Sequence, residues 1–308
     1  MKELLYKKLI EIVGEENLLL DEPMSKHTTF RIGGPADFFA MPACLEEVLA
    51  LVKACKEAEV EYYIVGNGSN LLVGDKGFRG VIIQIGNRMA DYTIEEREDG
   101  KYRVQAQAGI MLGKLAFAAA NEAFKDFEFA SGIPGTVGGA VAMNAGAYGG
   151  EIKDVLVSAT VIDQEGNVSV LSKEELELGY RTSRVQKESL IVLDTEFVFE
   201  KGNEEEIKDR IKELARQRRE KQPLEYPSAG STFKRPVGHF AGKLIMDSGL
   251  RGYRVGNIMV SEKHCGFVIN AGDGTAAEVV QLMKDVQRIV KEKYDVELEP
   301  EVRMIGSF

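Results

Sequence analysis

The chain has 308 residues, 49 of them acidic and 39 basic, for a formal net charge of −10. That balance argues against non-specific nucleic-acid binding. It leaves room for an anionic small ligand, because screening limits the reach of total charge to about 10 Å. At 44% apolar and 29% charged residues, the composition is that of an ordinary soluble protein, long enough for two or three domains.

The first residues interrupt their apolar positions with Glu3, Lys7, Lys8 and Glu11, which predicts an amphipathic helix and not a signal peptide. No segment is long and apolar enough to span a bilayer, so a cytoplasmic location is expected, with no membrane, nucleic-acid or obligate protein partner. Within His27–Pro42, Gly33-Gly34-Pro35 predicts a turn between two short apolar strands. A helix follows over Leu45–Glu59, then a strand over Tyr62–Val65 that runs into Gly66–Leu71. Val81–Ile85 and Tyr102–Ala106 read as strands joined by Asp99-Gly100. Leu112–Phe124 is an alanine-rich helix. Strands are expected at Val155–Ile162, Val168–Leu171 and Leu190–Phe199, and a charged helix over Glu204–Lys221. Gly202-Asn203 is the expected domain boundary. Thr275 and Glu278 form a capping box for a final long helix. Cys44, Cys55 and Cys265 are odd in number and without metal-ligand spacing, and His27, His239 and His264 are scattered, so no metal site is expected.

Ser131–Gly150, SGIPGTVGGAVAMNAGAYGG, carries no charged residue. It has too little side-chain volume for a core, and its backbone needs partners wherever it is buried. Glycines let a ligand lie against the main chain, and successive free N–H groups form an anion cradle, so a phosphate-bearing ligand is the economical reading over a mobile loop. Two standard nucleotide motifs fail. Gly66-x-Gly68 follows a strand, but Leu71 stands where a dinucleotide fingerprint has its third glycine. Gly109–Lys114 and Gly238–Lys243 each have three residues between their glycines, and Leu follows each Lys where a P-loop needs Ser or Thr.

Two separated glycine loops on a largely β domain resemble the flavin-binding region of the vanillyl-alcohol-oxidase-type flavoproteins. Within that group the chain resembles the UDP-N-acetylenolpyruvoylglucosamine reductase family over nearly its whole length. The matching pieces, in order, are TTFRIGGPAD, VGNGSNLLV, SGIPGTVGGAVAMNAGAYG, GYRTSR, PSAGSTFKRP, GLRGYRVG with SEKHCGFVIN, and LEPEVRMIG. The resemblance implies an α+β fold with a two-lobed FAD-binding region and a separate α+β substrate-binding domain. The lobes are expected at 1–56, completed by 298–308, and at 57–202, with the substrate domain at 203–297. It further implies non-covalent FAD and hydride transfer from NADPH through FAD to the enolpyruvyl group of UDP-GlcNAc-enolpyruvate, giving UDP-N-acetylmuramate for peptidoglycan. Neither glycine loop holds a His or Cys that could tether a flavin. Two other readings use the same residues: a flavin oxidoreductase for alcohols or hydroxy acids, and a nucleotide-binding module without redox activity.

By the same resemblance, Gly66, Asn67, Gly68, Ser69, Asn70 and Leu71 bind the cofactor, together with Ser131, Gly132, Ile133, Pro134, Gly135, Gly138, Gly139, Ala140, Asn144, Gly146 and Ala147. Arg181 is implied as the clamp on the substrate carboxylate, Ser231 as the proton donor and Glu301 as its catalytic neighbour. Tyr180, Arg218, Lys221 and Arg303 are implied in substrate binding. Taken alone, Arg181 reads as a surface salt-bridge residue, Ser231 as a turn residue, and Glu301 with Arg303 as an ion pair on one strand face, opposite Val302 and Met304. His264 and Cys265 are chemically easier proton donors than a serine. Arg216, Arg218, Arg219 and Lys221 also stabilise the dipole of their own helix. The family often has Asn where Arg235 stands, and no counterpart of a tyrosine-bearing substrate loop occurs between Tyr180 and Gly202, which places the chain in the shorter branch.

Overall fold

The structure is a computed structural model describing residues 2–308. Helix α1 (Lys2–Val13) buries Leu5, Leu9 and Val13, a four-residue spacing that lines one face. Strands β1 (Leu18–Pro23) and β2 (Pro35–Ala40) follow, then α2 (Leu45–Glu57), β3 (Tyr62–Val65), β4 (Leu71–Val73) and β5 (Phe78–Gln84). A hairpin of β6 (Tyr92–Glu96) and β7 (Tyr102–Gln107) leads to α3 (Leu112–Asn121) and α4 (Val137–Met143). The ribbon β8 (Gly146–Ala147) with β9 (Gly150–Glu151) precedes β10 (Leu156–Ile162), β11 (Val168–Ser172), the single turn α5 (Arg184–Lys187), β12 (Ile191–Phe199) and α6 (Glu204–Lys221). The remainder is β13 (Ser228–Ser231), α7 (Ala241–Asp247), β14 (Arg254–Val255), β15 (Ile258–Val260), β16 (Phe267–Asn270), α8 (Ala276–Tyr294) and β17 (Arg303–Ile305).

The fold is α+β, and packing divides the chain into two units. The first takes in the chain up to Leu19, Phe38–Asn67 and Gly80–Gln217; the second takes in Leu20–Asp37, Gly68–Arg79 and Arg218–Phe308. This division differs from a boundary at Gly202-Asn203, and the reason is hydrophobic: Ile207 and Ile211 of α6 are buried with Ala120 of α3. Most of α6 therefore belongs with the first unit.

One sheet has the order β1-β2-β5-β3, with β3 parallel to β5, and in the first unit a sheet of order β11-β10-β12-β7-β6 has antiparallel neighbours. Asp99-Gly100 turns β6 into β7, not β5 into β7 as the sequence suggested. The sequence hid β6 because half-buried Ile94 sits among exposed residues, leaving no apolar run to read. Likewise only one strand, β2, forms around Gly33-Gly34-Pro35; Thr28–Ile32 is held as a turn by Thr28 Oγ1 donating to the Ile32 carbonyl, 3.1 Å. The core of this unit centres on aromatic rings: Phe127 meets Phe129 edge-on at 5.7 Å and lies 5.6 and 5.3 Å from Phe197 and Phe199.

In the second unit, sheet β13-β16-β15-β14 is antiparallel, and α8 packs Val279, Leu282, Met283, Val286 and Val290 into a separate core with Phe30, Leu72 and Val302. The capping box forms as the sequence specified: Thr275 Oγ1 accepts from the Glu278 N–H, and Glu278 accepts from the Thr275 N–H. Asp75 adds a second cap, accepting from the Ala276 and Ala277 N–H groups at 2.7 and 2.9 Å.

Phe127 is 1% exposed and Phe117 51%. Phe127→Ala is expected to lower unfolding free energy by ~3–5 kcal/mol, and Phe117→Ala by less than ~0.5 kcal/mol, both read from urea midpoints at unchanged slope.

Candidate functional site

The two glycine loops meet within the first unit. A β-carbon on residue 66 would lie 2.2 Å from Thr136 Oγ1, so only glycine permits this approach. Beside it, Asn67 Nδ2 donates to the Pro134 carbonyl at 2.6 Å. Thr136 is buried and caps α4, its hydroxyl accepting from the Gly139 N–H at 3.4 Å. The opening turn of α4 is fastened to the loop after β7 by Val137 N–H to the Ile110 carbonyl (2.9 Å) and Gly138 N–H to the Ala108 carbonyl (2.8 Å). Gly138 could not carry a side chain there, since its β-carbon would fall 2.8 Å from that of Ala108.

Other parts of the stretch remain uncovered. Gly132, Pro134 and Gly139 are exposed, and Ser131, Ile133, Gly135, Gly146 and Ala147 are half-buried. A β-carbon on Gly139 would approach only Thr136 Oγ1, at 3.5 Å. The N–H groups of Asn67 and Gly135 meet no acceptor among the described residues. Ala140 and Asn144, by contrast, are buried. The Asn144 side chain is moreover taken up by protein groups, donating to Glu151 Oε2 (2.9 Å) and the Gly179 carbonyl (3.1 Å) and accepting from the Lys153 N–H (3.0 Å). Both amide protons are thus taken up by protein acceptors, which gives Asn144 a structural role in this loop.

Those bonds lead to Arg181. The loop Gly179–Thr182 closes on itself through two backbone hydrogen bonds of 3.0 and 3.3 Å. Arg181 sits in it at φ +55°, a left-handed conformation that arginine adopts only under constraint. Fully buried Ser183 anchors the following residue, its hydroxyl donating to the Ala142 carbonyl at 2.6 Å. Arg181 Nη2 donates to the Gly146 carbonyl at 3.3 Å, and its guanidinium lies 5.3 Å from the centre of the Tyr180 ring, which is half exposed.

The remaining predicted residues lie in the second unit. Gly68, at φ +60°, begins its share of the first loop. Asn70 Nδ2 donates to the Glu301 carbonyl (3.0 Å), and the Asn70 carbonyl accepts from the Arg303 N–H (2.9 Å). Buried Leu71 opens the parallel pairing of β4 with β17, opposite Arg303. The Glu301 N–H donates in turn to the Thr232 carbonyl at 2.8 Å. Glu301 thus lies opposite Thr232, the residue that follows Ser231; Glu301 and Ser231 are both half-buried. Gly230 at φ +76° makes the irregularity in β13 that separates Ser228 from Ser231 in register. Strand β17 starts only at Arg303, so the expected alternation fails: Val302 is buried while Met304 is 46% exposed. Arg218 Nε donates to Gln222 Oε1 at 3.1 Å, and Lys221 is exposed. Cys265 is buried, which raises its thiol pKa. Burial likewise lowers that of His264, whose Nδ1 accepts from the Gly266 N–H at 3.1 Å. The thiol is thereby a weaker acid than its residue type suggests, and the imidazole is held toward its neutral form.

The close approach at Gly66 gives a direct test. Gly66→Ala is expected to destabilise the chain by ~1–3 kcal/mol, because Thr136 or the loop must shift to admit the methyl group; differential scanning calorimetry reads the drop.

Residues 36–172 match the family of FAD binding domains. Residues 222–305 match the C-terminal domain of UDP-N-acetylenolpyruvoylglucosamine reductase. A dinucleotide cofactor requires backbone donors for its phosphates and a surface without side chains. The open N–H groups of Asn67 and Gly135 and the uncovered Gly139 fit that requirement. The chain is 54% identical over 307 residues to a Lachnoclostridium phytofermentans UDP-N-acetylenolpyruvoylglucosamine reductase, covering 100% of this chain and 99% of that protein. It is 52% identical to one from Clostridium botulinum, covering 98% of each. The crystal structure of the Thermus caldophilus reductase superposes with a TM-score of 0.76 at 33% identity, covering 94% of this chain and 98% of that one. Identity at this level along the whole length shows that the chain belongs to the UDP-N-acetylenolpyruvoylglucosamine reductase family.

Proposed function

We infer that the chain reduces UDP-GlcNAc-enolpyruvate to UDP-N-acetylmuramate at the expense of NADPH, in the cytoplasm, as a step of peptidoglycan precursor synthesis. The observation that carries this reading is kinship over the full chain, 54% identity across 307 residues. FAD, held without a covalent tether, supplies a two-electron carrier between NADPH and the enolpyruvyl group. The open amides of Asn67 and Gly135 and the bare surface at Gly139 are the groups we assign to its phosphates. An oxidoreductase acting on alcohols or hydroxy acids is not favoured.

Adding a hydride to an enol ether that carries a carboxylate builds negative charge next to an existing one. Arg181 is assigned to meet it, since a guanidinium can hold a carboxylate through two parallel bonds where lysine cannot. Completing the reduction needs a proton on the neighbouring carbon, assigned to the Ser231 hydroxyl. Glu301, whose N–H donates to the Thr232 carbonyl, polarises the substrate beside it. Arg218 and Lys221 are assigned to the substrate diphosphate, and Tyr180 and Arg303 to substrate contacts.

Purified protein is expected to be yellow and to release flavin on heating; colourless protein that takes up no FAD would overturn the reading. Ser231→Ala is expected to leave flavin reduction by NADPH intact while reoxidation by the enolpyruvyl nucleotide slows by about a hundredfold or more in anaerobic stopped flow. Gly139→Ala tests the cofactor assignment. A methyl there fits the protein and favours helix by ~1 kcal/mol, so the apoprotein should be no less stable while FAD affinity falls at least about tenfold.

A further inference from the structure

We propose that Glu151, working through Asn144 and Gly146, is a positioning residue that sets the Arg181 guanidinium before substrate arrives. The proposal rests on the assignment of Arg181 as the carboxylate clamp. An arginine side chain carries about 2 kcal/mol of rotamer entropy, so a clamp that must grip in one orientation benefits from being fixed beforehand.

Two connections run from Glu151 toward Arg181, one to its guanidinium and one to its loop. Gly146, whose carbonyl accepts from Arg181 Nη2, is paired with Glu151 in the ribbon of β8 and β9. A β-carbon on Gly146 would lie 2.7 Å from Glu151 Cγ, so the Glu151 side chain packs directly over the carbonyl-bearing residue. Glu151 Oε2 also accepts from Asn144, and the same Asn144 amide holds the Gly179 carbonyl at the start of the Arg181 loop. Asn144 itself is fully buried, with φ +44° at the end of α4, so it cannot slide without breaking all three of its bonds. Removing Glu151 would release one end of this chain and leave a buried amide donor short of a partner.

Lys153 Nζ lies 2.7 Å from Glu151 Oε2. Its hydrogen bond, followed by that of Asn144 and the nearby charges of Lys153 and Arg181, holds the Glu151 carboxyl below its usual range. Glu151 is thereby kept ionised and fixed in place, an acceptor for the Asn144 amide that also holds the start of the Arg181 loop.

The test uses the FAD-loaded enzyme and four variants: Glu151→Ala, Glu151→Gln, Arg181→Ala and the Arg181→Ala/Glu151→Ala double variant. Reoxidation of NADPH-reduced flavin by the enolpyruvyl nucleotide is expected to slow by ~10- to 100-fold in Glu151→Ala. Glu151→Gln, which keeps an acceptor for Asn144 and the packing over Gly146, should recover part of that loss. Flavin content and the rate of reduction by NADPH should stay within about twofold. In the double variant the Glu151 change should add nothing to the loss caused by Arg181→Ala, because its effect passes through that side chain. Independent, multiplicative losses would overturn the proposal, as would equal damage to both half-reactions, or Glu151→Ala with normal reoxidation. If Arg181→Ala itself reoxidises normally, the clamp assignment fails and this proposal fails with it; if Arg181→Ala is slow and only the coupling is missing, the clamp stands and the positioning role alone is lost.

Discussion

At residue 66 the two glycine loops come into contact. The hydroxyl oxygen of Thr136 occupies the space a β-carbon would need, 2.2 Å from it, and this approach fixes more than one turn. Thr136 is the N-cap of α4, so the position of the first glycine loop and the start of that helix are one constraint. The same short helix ends at Asn144, in the left-handed conformation its side chain needs to reach Glu151, Gly179 and the Lys153 N–H. Gly179 opens the loop that carries Arg181. A chain of close contacts thus runs from Gly66 to the Arg181 loop without leaving the first unit.

The second unit reaches a comparable result by different means. The segments that carry Ser231 and Glu301 are tied together: Glu301 N–H to the Thr232 carbonyl, Asn70 Nδ2 to the Glu301 carbonyl, Arg303 N–H to the Asn70 carbonyl. Thr232, itself buried, accepts from the Val268 N–H through its hydroxyl and donates its own N–H to the Gly266 carbonyl. Placement here is by main-chain hydrogen bonds, so the positions of Ser231 and Glu301 are set by the backbone around them.

Much of this architecture is legible in the amino-acid sequence. The glycine loops, the α8 capping box and the strands Tyr62–Val65 and Ile191–Phe199 all carry local signals: backbone permissiveness, reciprocal caps, apolar runs. What escapes is non-local. Strand β6 has one half-buried apolar residue and depends on β7 for its identity. The membership of α6 depends on Ala120, which lies far from it in sequence. Asn144 sits among glycines, and the three partners of its side chain lie 7, 9 and 35 residues away. A polar residue in a glycine run signals a hydrogen bond, and the sequence does not say to whom. The one local hint is Glu151-Ile-Lys153, a charge pair reappearing where the charge-free stretch stops.

The charge economy of the chain follows the same division between local and global. A net charge of −10 has to coexist with binding an anionic nucleotide, and the basic residues of α6 show how. Three of its early and middle cations are answered inside the helix: Lys208 by Glu204, Lys212 by Asp209, Arg216 by Glu213. In the last turn Arg218 Nε bonds Gln222 Oε1, Glu220 stands between Arg219 and Lys221, and Lys221 makes no ion pair among the described residues. Three cations against one acid leave that turn net positive, which suits the carbonyl end of the helix dipole. A local surplus of this kind lets a chain of net negative charge draw in a ligand of its own sign, because screening limits the reach of the distant acids.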